Sequence, residues 1–305
     1  MTQTRILIFG HTGQVARAFR EVAHTFDEFE IITRGQKKCD ISNPEQVKKT
    51  ILSVAPDVIV NAAAYTAVDK AEEELKKAYA LNKQAVEHIG QVANSQNIPV
   101  IHLSTDYVFD GTNTTPYQVG DQTEPLGVYG QSKWAGEEAL RKTCAKHMIL
   151  RTAWVYSPWG GNFVKTMLRV MAANPQIQVV NDQRGCPTSA LDIAKAIMKI
   201  VPKLCDPEFK GYGTYHLVSN SDVSWHDFAC EIQTQALNIF GPDWVGALCD
   251  LQAIPSSEYP SKAPRPAYTV LSVKKFKDVF GFNLPEWQSS LMRCLTALHN
   301  EGESA

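Results

Sequence analysis

Short runs of consecutive apolar residues alternate with longer segments of helical periodicity through the first half of the chain. Continuous apolar runs are typical of strands buried on both faces, and the helices between them allow neighbouring strands to run parallel. The pattern therefore predicts an α/β protein with a Rossmann-like, doubly wound parallel sheet. The predicted strands are residues 5–9, 30–33, 57–61, 98–104 and 147–151, and the predicted helices include 44–54, 69–96 with a break near 82, and 129–144.

The alternation of strands and helices ends after Tyr156. From Pro202 onward Pro, Gly, Trp and Tyr are frequent, which indicates a smaller, irregular α/β domain built from several segments. We expect this domain to bind the substrate. The predicted cofactor-binding domain is residues 1–156 with about 186–202 and a short segment near 265–275, and the predicted substrate-binding domain is about 157–185, 203–264 and 276–300.

Composition narrows the classes of protein. The 305 residues carry a formal net charge of −2, which disfavours a nucleic-acid or anionic-membrane binder. The longest apolar stretch, 58–64, is interrupted by Asn61 and is too short to span a bilayer. The seven cysteines form no C-x-x-C pair, so we expect reduced thiols in a cytoplasmic protein and neither a catalytic cysteine nor a zinc site.

A glycine turn directly follows the first predicted strand. Gly10 and Gly13 stand where a tight turn and a close backbone approach to a pyrophosphate are needed, and Ala16 is small enough for helix–strand packing. The helix that opens here would present free N–H groups to the phosphates. Gln14 and Val15 complete the turn, and we assign them with both glycines to a dinucleotide site.

The end of the second strand bears on the choice of nicotinamide cofactor. Arg34 stands where an acidic residue would favour NAD, and a guanidinium there can pair with a 2′-phosphate. NADPH is therefore preferred, with NADH possible, and a solvated basic turn is the alternative. Asp40 and Ile41 are candidates for contact with the adenine, although Asp40 could instead cap a helix.

Tyr129 and Lys133 lie four residues apart in a predicted helix and would project from one face. An ammonium group near a phenol favours the phenolate, so we expect Lys133 to lower the pKa of Tyr129. This arrangement suits a proton donor in a reductase.

These features occur together with longer sequence segments spread over nearly the whole chain. In these segments the sequence resembles the dTDP-4-dehydrorhamnose reductase family, which belongs to the extended short-chain dehydrogenases/reductases. The segments are residues 56–64, 66–72, 103–111, 151–156, 162–167, 181–188 and 215–217.

The resemblance implies roles for individual residues. Tyr129 would protonate the C4 oxygen of the sugar as hydride arrives, and Lys133 would hold the nicotinamide ribose. Thr105 would hydrogen-bond the substrate carbonyl, with Asp106 and Trp154 contacting the sugar. The third-strand turn that passes beneath the cofactor would comprise Ala63, Ala64 and Tyr65.

The implied reaction is NADPH-dependent reduction of dTDP-4-dehydro-β-L-rhamnose for cell-surface polysaccharide synthesis. Two alternatives remain at this stage: a different 4-keto-6-deoxy nucleotide sugar as substrate, and a non-catalytic regulatory relative. Arg184 and Arg265 are possible diphosphate ligands or, equally, members of ion pairs.

Some members of the family dimerise around a magnesium ion held by glutamates. The corresponding positions here are Ala18, Leu191 and Gln288, none of which offers a carboxylate. The sequence therefore predicts no metal site, and either a monomer or a dimer that is not bridged by metal.

Overall fold

The computed structural model describes residues 3–302 and is built around a six-stranded sheet. Its strands lie in the order 213–216, 147–152, 100–105, 58–61, 4–9 and 29–34, and every neighbouring pair is parallel. This confirms the predicted fold class. The strands are β1 (Thr4–Phe9), β2 (Phe29–Arg34), β3 (Val58–Asn61), β4 (Val100–Thr105), β5 (His147–Thr152), β6 (Val155–Tyr156), β7 (Gln176–Val180), β8 (Arg184–Gly185), β9 (Thr188–Ser189), β10 (Gly213–His216), β11 (Val223–Ser224) and β12 (Asp250–Ile254).

Helices cover both faces of the sheet, and local sequence explains several of their ends. The Asn43 side chain accepts hydrogen bonds from two backbone N–H groups at the start of the second helix, as its type predicts. None of the helices between residues 3 and 302 is long and apolar enough to cross a membrane. They are α1 (Gln14–Val22), α2 (Pro44–Val54), α3 (Val68–Ala71), α4 (Leu75–Tyr79), α5 (Ala85–Ser95), α6 (Val128–Thr143), α7 (Phe163–Ala173), α8 (Ala190–Leu204), α9 (Trp225–Phe240), α10 (Lys274–Phe280) and α11 (Trp287–Asn300), with a π-helical turn at Ala80–Gln84.

The central strand β1 shows why its sequence is apolar throughout. Ile6 and Ile8 enter the cluster formed with α1 and α8, whereas Leu7 and Phe9 enter the opposite cluster with α2 and α5. All four side chains are fully buried. Burial of each contributes roughly 1.5–3 kcal/mol, so both faces of the strand stabilise the fold.

The remaining segments form a second region with its own apolar cluster from α7, α9 and α11. One part of the predicted division is wrong: Gly213–His216 was expected in the substrate-binding domain but extends the large sheet beside β5. This strand has only four residues, Gly-Thr-Tyr-His, so it lacks the run of apolar residues that marks the other strands of the sheet. The division into two domains otherwise stays a prediction.

A buried ion-pair network joins α6 to two strands. Glu137 of α6 accepts hydrogen bonds from Arg151 of β5 at 3.0 and 2.8 Å and from the Ser104 hydroxyl of β4 at 2.5 Å. Arg141 donates to the same carboxylate at 2.7 Å. The two arginines hold the pKa of Glu137 below its usual value against the opposing effect of burial. The carboxylate therefore remains charged and determines the position of α6 on the sheet.

We expect Glu137→Gln to lower the free energy of unfolding by about 3–5 kcal/mol, because it leaves the buried Arg151 guanidinium uncompensated. The wild-type contribution is present above the unfolded-state pKa of glutamate, about 4.3, and is lost as the pH falls through the lower folded-state pKa. Urea denaturation across acidic pH measures both effects. Glu138→Gln is the matched control, since Glu138 is 38% exposed and the loss of its pair with the partly buried Arg141 should cost less than about 1 kcal/mol. Equal losses in the two variants would contradict the assignment.

Candidate active site

A cleft of about 750 Å³ opens at the carboxyl ends of β1, β3, β4 and β5. Open parallel sheets bind ligands at this edge because the loops that follow the strands converge there. The cleft brings together the predicted residues Gly10, Gly13, Gln14, Val15, Arg34, Asp40, Ile41, Ala63, Ala64, Thr105, Asp106, Tyr129, Lys133 and Trp154.

The glycine turn has the geometry expected of a dinucleotide site. Gly10 adopts φ of +127°, and a Cβ there would lie 3.3 Å from the Ala16 side chain and 3.5 Å from the Ala62 backbone. Gly13 precedes α1 without any side-chain cap, so the first N–H groups of the helix face the cleft without a side-chain acceptor. These features fit the pyrophosphate of a nicotinamide dinucleotide.

Gln14 connects the glycine turn to the loop that follows β6. Its amide oxygen accepts hydrogen bonds from Ser157 at 2.8 Å and Asn162 at 3.0 Å. Its amide nitrogen donates to the Val155 carbonyl at 3.2 Å. All three bonds span more than 140 residues of sequence, so Gln14 holds two walls of the cleft together.

The adenosine end of the cleft lies beyond β2. The Arg34 carbonyl accepts from the Gly10 N–H at 2.8 Å, and its guanidinium is partly exposed at the rim. Asp40 accepts from the Ser42 backbone and hydroxyl, so it stabilises its own turn, while Asn43 caps α2. Asp40 therefore lines the cleft without being the helix cap that was its alternative role.

The candidate proton donor lies at the opposite end of the cleft. The Thr105 hydroxyl can donate its one hydrogen either to the Tyr129 oxygen or to the Asp106 carboxylate, which lies 3.0 Å away. The Tyr107 ring packs edge-on against Tyr129 with centroids 5.8 Å apart. Burial, with a smaller contribution from Asp106, raises the pKa of Tyr129 to about 12, although the Thr105 bond opposes this. The phenol is therefore protonated at neutral pH.

Lys133 does not act on Tyr129 as expected. Its amino group donates to the Leu103 carbonyl at 2.6 Å and lies 3.3 Å from His102 Nε2. Burial lowers the pKa of Lys133 to about 8, with Glu137 opposing the shift. Lys133 is not among the groups that shift the pKa of Tyr129, and burial raises this pKa, so the predicted lowering by Lys133 is wrong.

Tyr65 is the one predicted cofactor residue that does not line the cleft. Its hydroxyl donates to Glu74 at 2.8 Å, and its ring packs beside α4 and α6. The two candidate diphosphate ligands are in ion pairs: Arg184 with Asp222 at 2.7 Å, and Arg265 with Asp69 at 3.0 Å.

Trp154 is held in an unusual conformation at the cleft wall. Its φ is +45°, a left-handed value that costs an L-residue roughly 1–2 kcal/mol. The indole stacks on Trp225 of α9, with centroids 3.4 Å apart and planes 6° from parallel. A Cβ at Gly185 would lie 2.5 Å from the ring, so only glycine fits there. Contacts from two distant segments thus stabilise a strained residue.

Other cleft residues were not identified from the sequence, because most contribute backbone or small side chains at strand ends. For those near the ends of predicted strands, such as His11, Ala62 and Thr152, that position was the available signal. The other cleft residues are His11, Thr12, Gly35, Gln36, Cys39, Ala62, Thr66, Leu81, Leu103, Ser104, Thr152, Ala153, Val155, Gly160 and Gly161.

The positions aligned with magnesium ligands lie apart from the cleft lining. Ala18 is fully buried in the α1–α8 cluster, Leu191 packs against it, and Gln288 is exposed. Over residues 3–302, no group of three or more His, Cys, Asp and Glu side chains is arranged to hold a metal ion.

We expect Trp225→Leu to abolish the exciton couplet that two stacked indoles give in far-ultraviolet circular dichroism. The free energy of unfolding should fall by at least the roughly 1 kcal/mol that a stacked aromatic pair adds. Trp134→Leu is the control, because this indole on α6 is 37% exposed and should leave the couplet intact. A couplet that survives in Trp225→Leu would show that another pair produces it.

Comparison with known proteins identifies the family. The chain matches the profile described as RmlD substrate binding domain over residues 4–300. It is 43% identical over 296 residues to the dTDP-4-dehydrorhamnose reductase of Salmonella typhimurium, covering 96% of this chain and 97% of that protein. The reductase of the same name from Sinorhizobium fredii is 41% identical over 99% of this chain and 100% of its own length.

Solved structures agree with these matches. The dTDP-4-dehydrorhamnose reductase of Bacillus anthracis in complex with NADP has a TM-score of 0.88 at 31% identity, covering 97% of this chain and 99% of that one. The Clostridium acetobutylicum reductase has the same TM-score at 33% identity and the same two coverages. The chain therefore belongs to the RmlD substrate binding domain family, together with these dTDP-4-dehydrorhamnose reductases.

Proposed function

We propose that this protein is an NADPH-dependent reductase of the C4 ketone of dTDP-4-dehydro-β-L-rhamnose, with dTDP-β-L-rhamnose as product. The observation that carries the proposal is one cleft that joins a dinucleotide turn at Gly10 to a protonated phenol at Tyr129. Relatives at 43% and 41% identity over nearly the full length bear the name of this reductase, which supports the choice of sugar.

The chemistry requires a hydride, which bound NADPH supplies, and a proton for the ketone oxygen. Tyr129 provides that proton: its Oη–H bond breaks as the O–H bond of the C4 hydroxyl forms. Thr105 turns its hydroxyl hydrogen from Asp106 to the same oxygen and stabilises the charge that develops there. Lys133 holds the nicotinamide ribose, and Asp106 and Trp154 position the sugar ring beside the tyrosine.

The proposed preference for NADPH over NADH depends on the side chains that line the cleft after the end of β2. Arg34 lines the cleft there, and no acidic side chain lines it between residues 30 and 39. A guanidinium offers charge-assisted hydrogen bonds to a 2′-phosphate. The Bacillus anthracis relative was solved with NADP, which is consistent with this preference.

Location and assembly are part of the proposal. Seven free cysteines support a reducing compartment, and we infer that the protein is located in the cytoplasm.

The apolar or amide side chains at Ala18, Leu191 and Gln288 support a monomer, or a dimer that no metal bridges. We also propose that the large-sheet region binds the cofactor and that the region around α7, α9 and α11 binds the nucleotide sugar.

We expect Tyr129→Phe to reduce kcat by on the order of 10²–10⁴-fold, because the ring is retained while the transferable proton is removed. The dissociation constant for NADPH, from fluorescence titration, should be unchanged. Tyr212→Phe is the control, since this hydroxyl donates only to the Leu204 carbonyl, remote from the cleft.

The assay combines the protein, NADPH and dTDP-4-keto-6-deoxy sugar prepared with its epimerase, and identifies the product sugar. Rhamnose as product supports the proposal. A different sugar would show another 4-keto-6-deoxy substrate, and cofactor binding without oxidation would show a regulatory relative. Full activity in Tyr129→Phe would remove the tyrosine from the mechanism.

We expect Arg34→Asp to lower the ratio of kcat/KM with NADPH to kcat/KM with NADH by about 10–100-fold. This is the size of one charge-assisted hydrogen bond, roughly 1.5–3 kcal/mol. Lys38→Asp makes the same charge change in the same turn, but Lys38 does not line the cleft. If both variants change the ratio equally, overall charge and not a contact of Arg34 determines the preference.

A further inference from the structure

Behind Lys133 lie two buried polar side chains for which the proposed reaction gives no role. His102 of β4 is 0% exposed and Asn61 at the end of β3 is 1% exposed. Buried polar groups are costly unless they are hydrogen-bonded, and these two bond to each other and to the lysine. Asn61 Nδ2 lies 3.1 Å from His102 Nδ1, and Lys133 Nζ lies 3.3 Å from His102 Nε2.

The Asn61 amide determines which imidazole nitrogen carries the proton. The Ala63 N–H donates to Asn61 Oδ1 at 3.2 Å, which orients the amide nitrogen towards His102. His102 Nδ1 is then the acceptor of the Asn61 N–H. A neutral imidazole that accepts at Nδ1 carries its proton on Nε2. Burial and the charge of Lys133 lower the pKa of His102 well below its usual value, so the ring is neutral.

The Nε2–H group therefore points at the amino nitrogen of Lys133. An ammonium group has three donors and no acceptor, whereas an uncharged amine has a lone pair that can accept this hydrogen. The Leu103 carbonyl, 2.6 Å away, accepts one N–H of the lysine in either state. The contact with His102 consequently favours the amine.

We propose that His102, oriented by Asn61, is a positioning residue that fixes the amino group of Lys133 in the cleft and favours release of its proton. The inference rests on the proposed function only for its catalytic consequence. The tautomer and the lysine's proton affinity are properties of the protein itself.

Several other charged groups surround the lysine. On its own helix, Glu137 favours the ammonium, but Arg141 and Arg151 neutralise that carboxylate. Tyr129 lies one turn away on the same face, and Asp106 follows β4 in the same cleft. Of the titratable side chains named here, His102 is the one within 3.3 Å of the amino nitrogen, so its tautomer has the most local effect.

The catalytic consequence concerns the phenolate that remains after the ketone has been protonated. Lys133 and Tyr129 line the same cleft one helical turn apart on α6, and the lysine, with a pKa of about 8, is acid enough to return a proton to a phenolate whose conjugate acid has a pKa of about 12. In that step a Lys133 N–H bond breaks and the Tyr129 O–H bond re-forms. The amine accepts the His102 hydrogen bond until solvent returns a proton.

Two nuclear magnetic resonance measurements test the proposal without any turnover. Nitrogen-15 shifts of labelled histidine should show His102 as the Nε2–H tautomer, without titration between neutral and mildly alkaline pH. In protein labelled with ¹³Cε-lysine, one signal should titrate near pH 8 and be absent from Lys133→Met. An Nδ1–H tautomer or a protonated ring would overturn the proposal.

The decisive variant is His102→Gln, whose amide oxygen can accept from the ammonium. We expect the titration of Lys133 to move upward by about one pH unit, the shift that one ordinary hydrogen bond produces. His216→Gln is the matched control: this histidine is also buried and neutral, but it bonds to the Ser272 carbonyl. An unchanged or lower midpoint in His102→Gln, or the same shift in His216→Gln, would overturn the proposal.

The same variants, assayed with NADPH and the dTDP-linked sugar, connect the lysine to catalysis. The alkaline limb of the kcat profile should move with the lysine titration in His102→Gln and stay in place in His216→Gln. If the alkaline limb of the kcat profile stays in place while the lysine titration moves, Lys133 does not return the proton to Tyr129. Absence of sugar reduction by the wild type would refute the proposed function and leave the resonance tests valid.

Discussion

The buried ion pair between Glu137 and Arg151 is the interaction on which the placement of the candidate active site depends. Glu137 lies one helical turn after Lys133 and two turns after Tyr129 on α6, so fixing this carboxylate fixes the face that carries both. Its partners come from two strands, because Arg151 is on β5 and Ser104 is on β4. Buried charges tolerate little displacement, since an uncompensated charge is costly. The pair therefore holds α6 in one register on the sheet.

Desolvation then acts on the two proposed catalytic groups, Tyr129 and Lys133, in opposite directions. Burial disfavours the charged form of each, so it raises the pKa of Tyr129 to about 12 and lowers that of Lys133 to about 8. The result is a neutral phenol beside a lysine that holds its proton loosely. This is a suitable resting state for a reductase, which must deliver a proton, and it arises from packing as well as from the identity of the two residues.

Much of the fold could be predicted because its signals are local. An apolar strand such as β1 is recognisable from composition alone, and the Asn43–Pro44 start of α2 follows from capping chemistry. Strand β10 was missed because Gly213–His216 is too short to show a pattern, and its neighbour β5 is more than 60 residues earlier in the chain. The position of Tyr65 outside the cleft lining has a similar cause, since its bond to Glu74 depends on how α4 packs.

The order of the elements, the glycine turn, the Tyr129–Lys133 spacing and the family can all be predicted from the amino-acid sequence. Each depends on residues close together in the chain or on longer segments of sequence that match the family. Other properties arise only on folding: the proton affinities of the site, the left-handed Trp154 against Trp225, and the contact of His102 with Lys133. Those properties depend on burial and on contacts between distant segments, and these arise only when the strands and helices pack together.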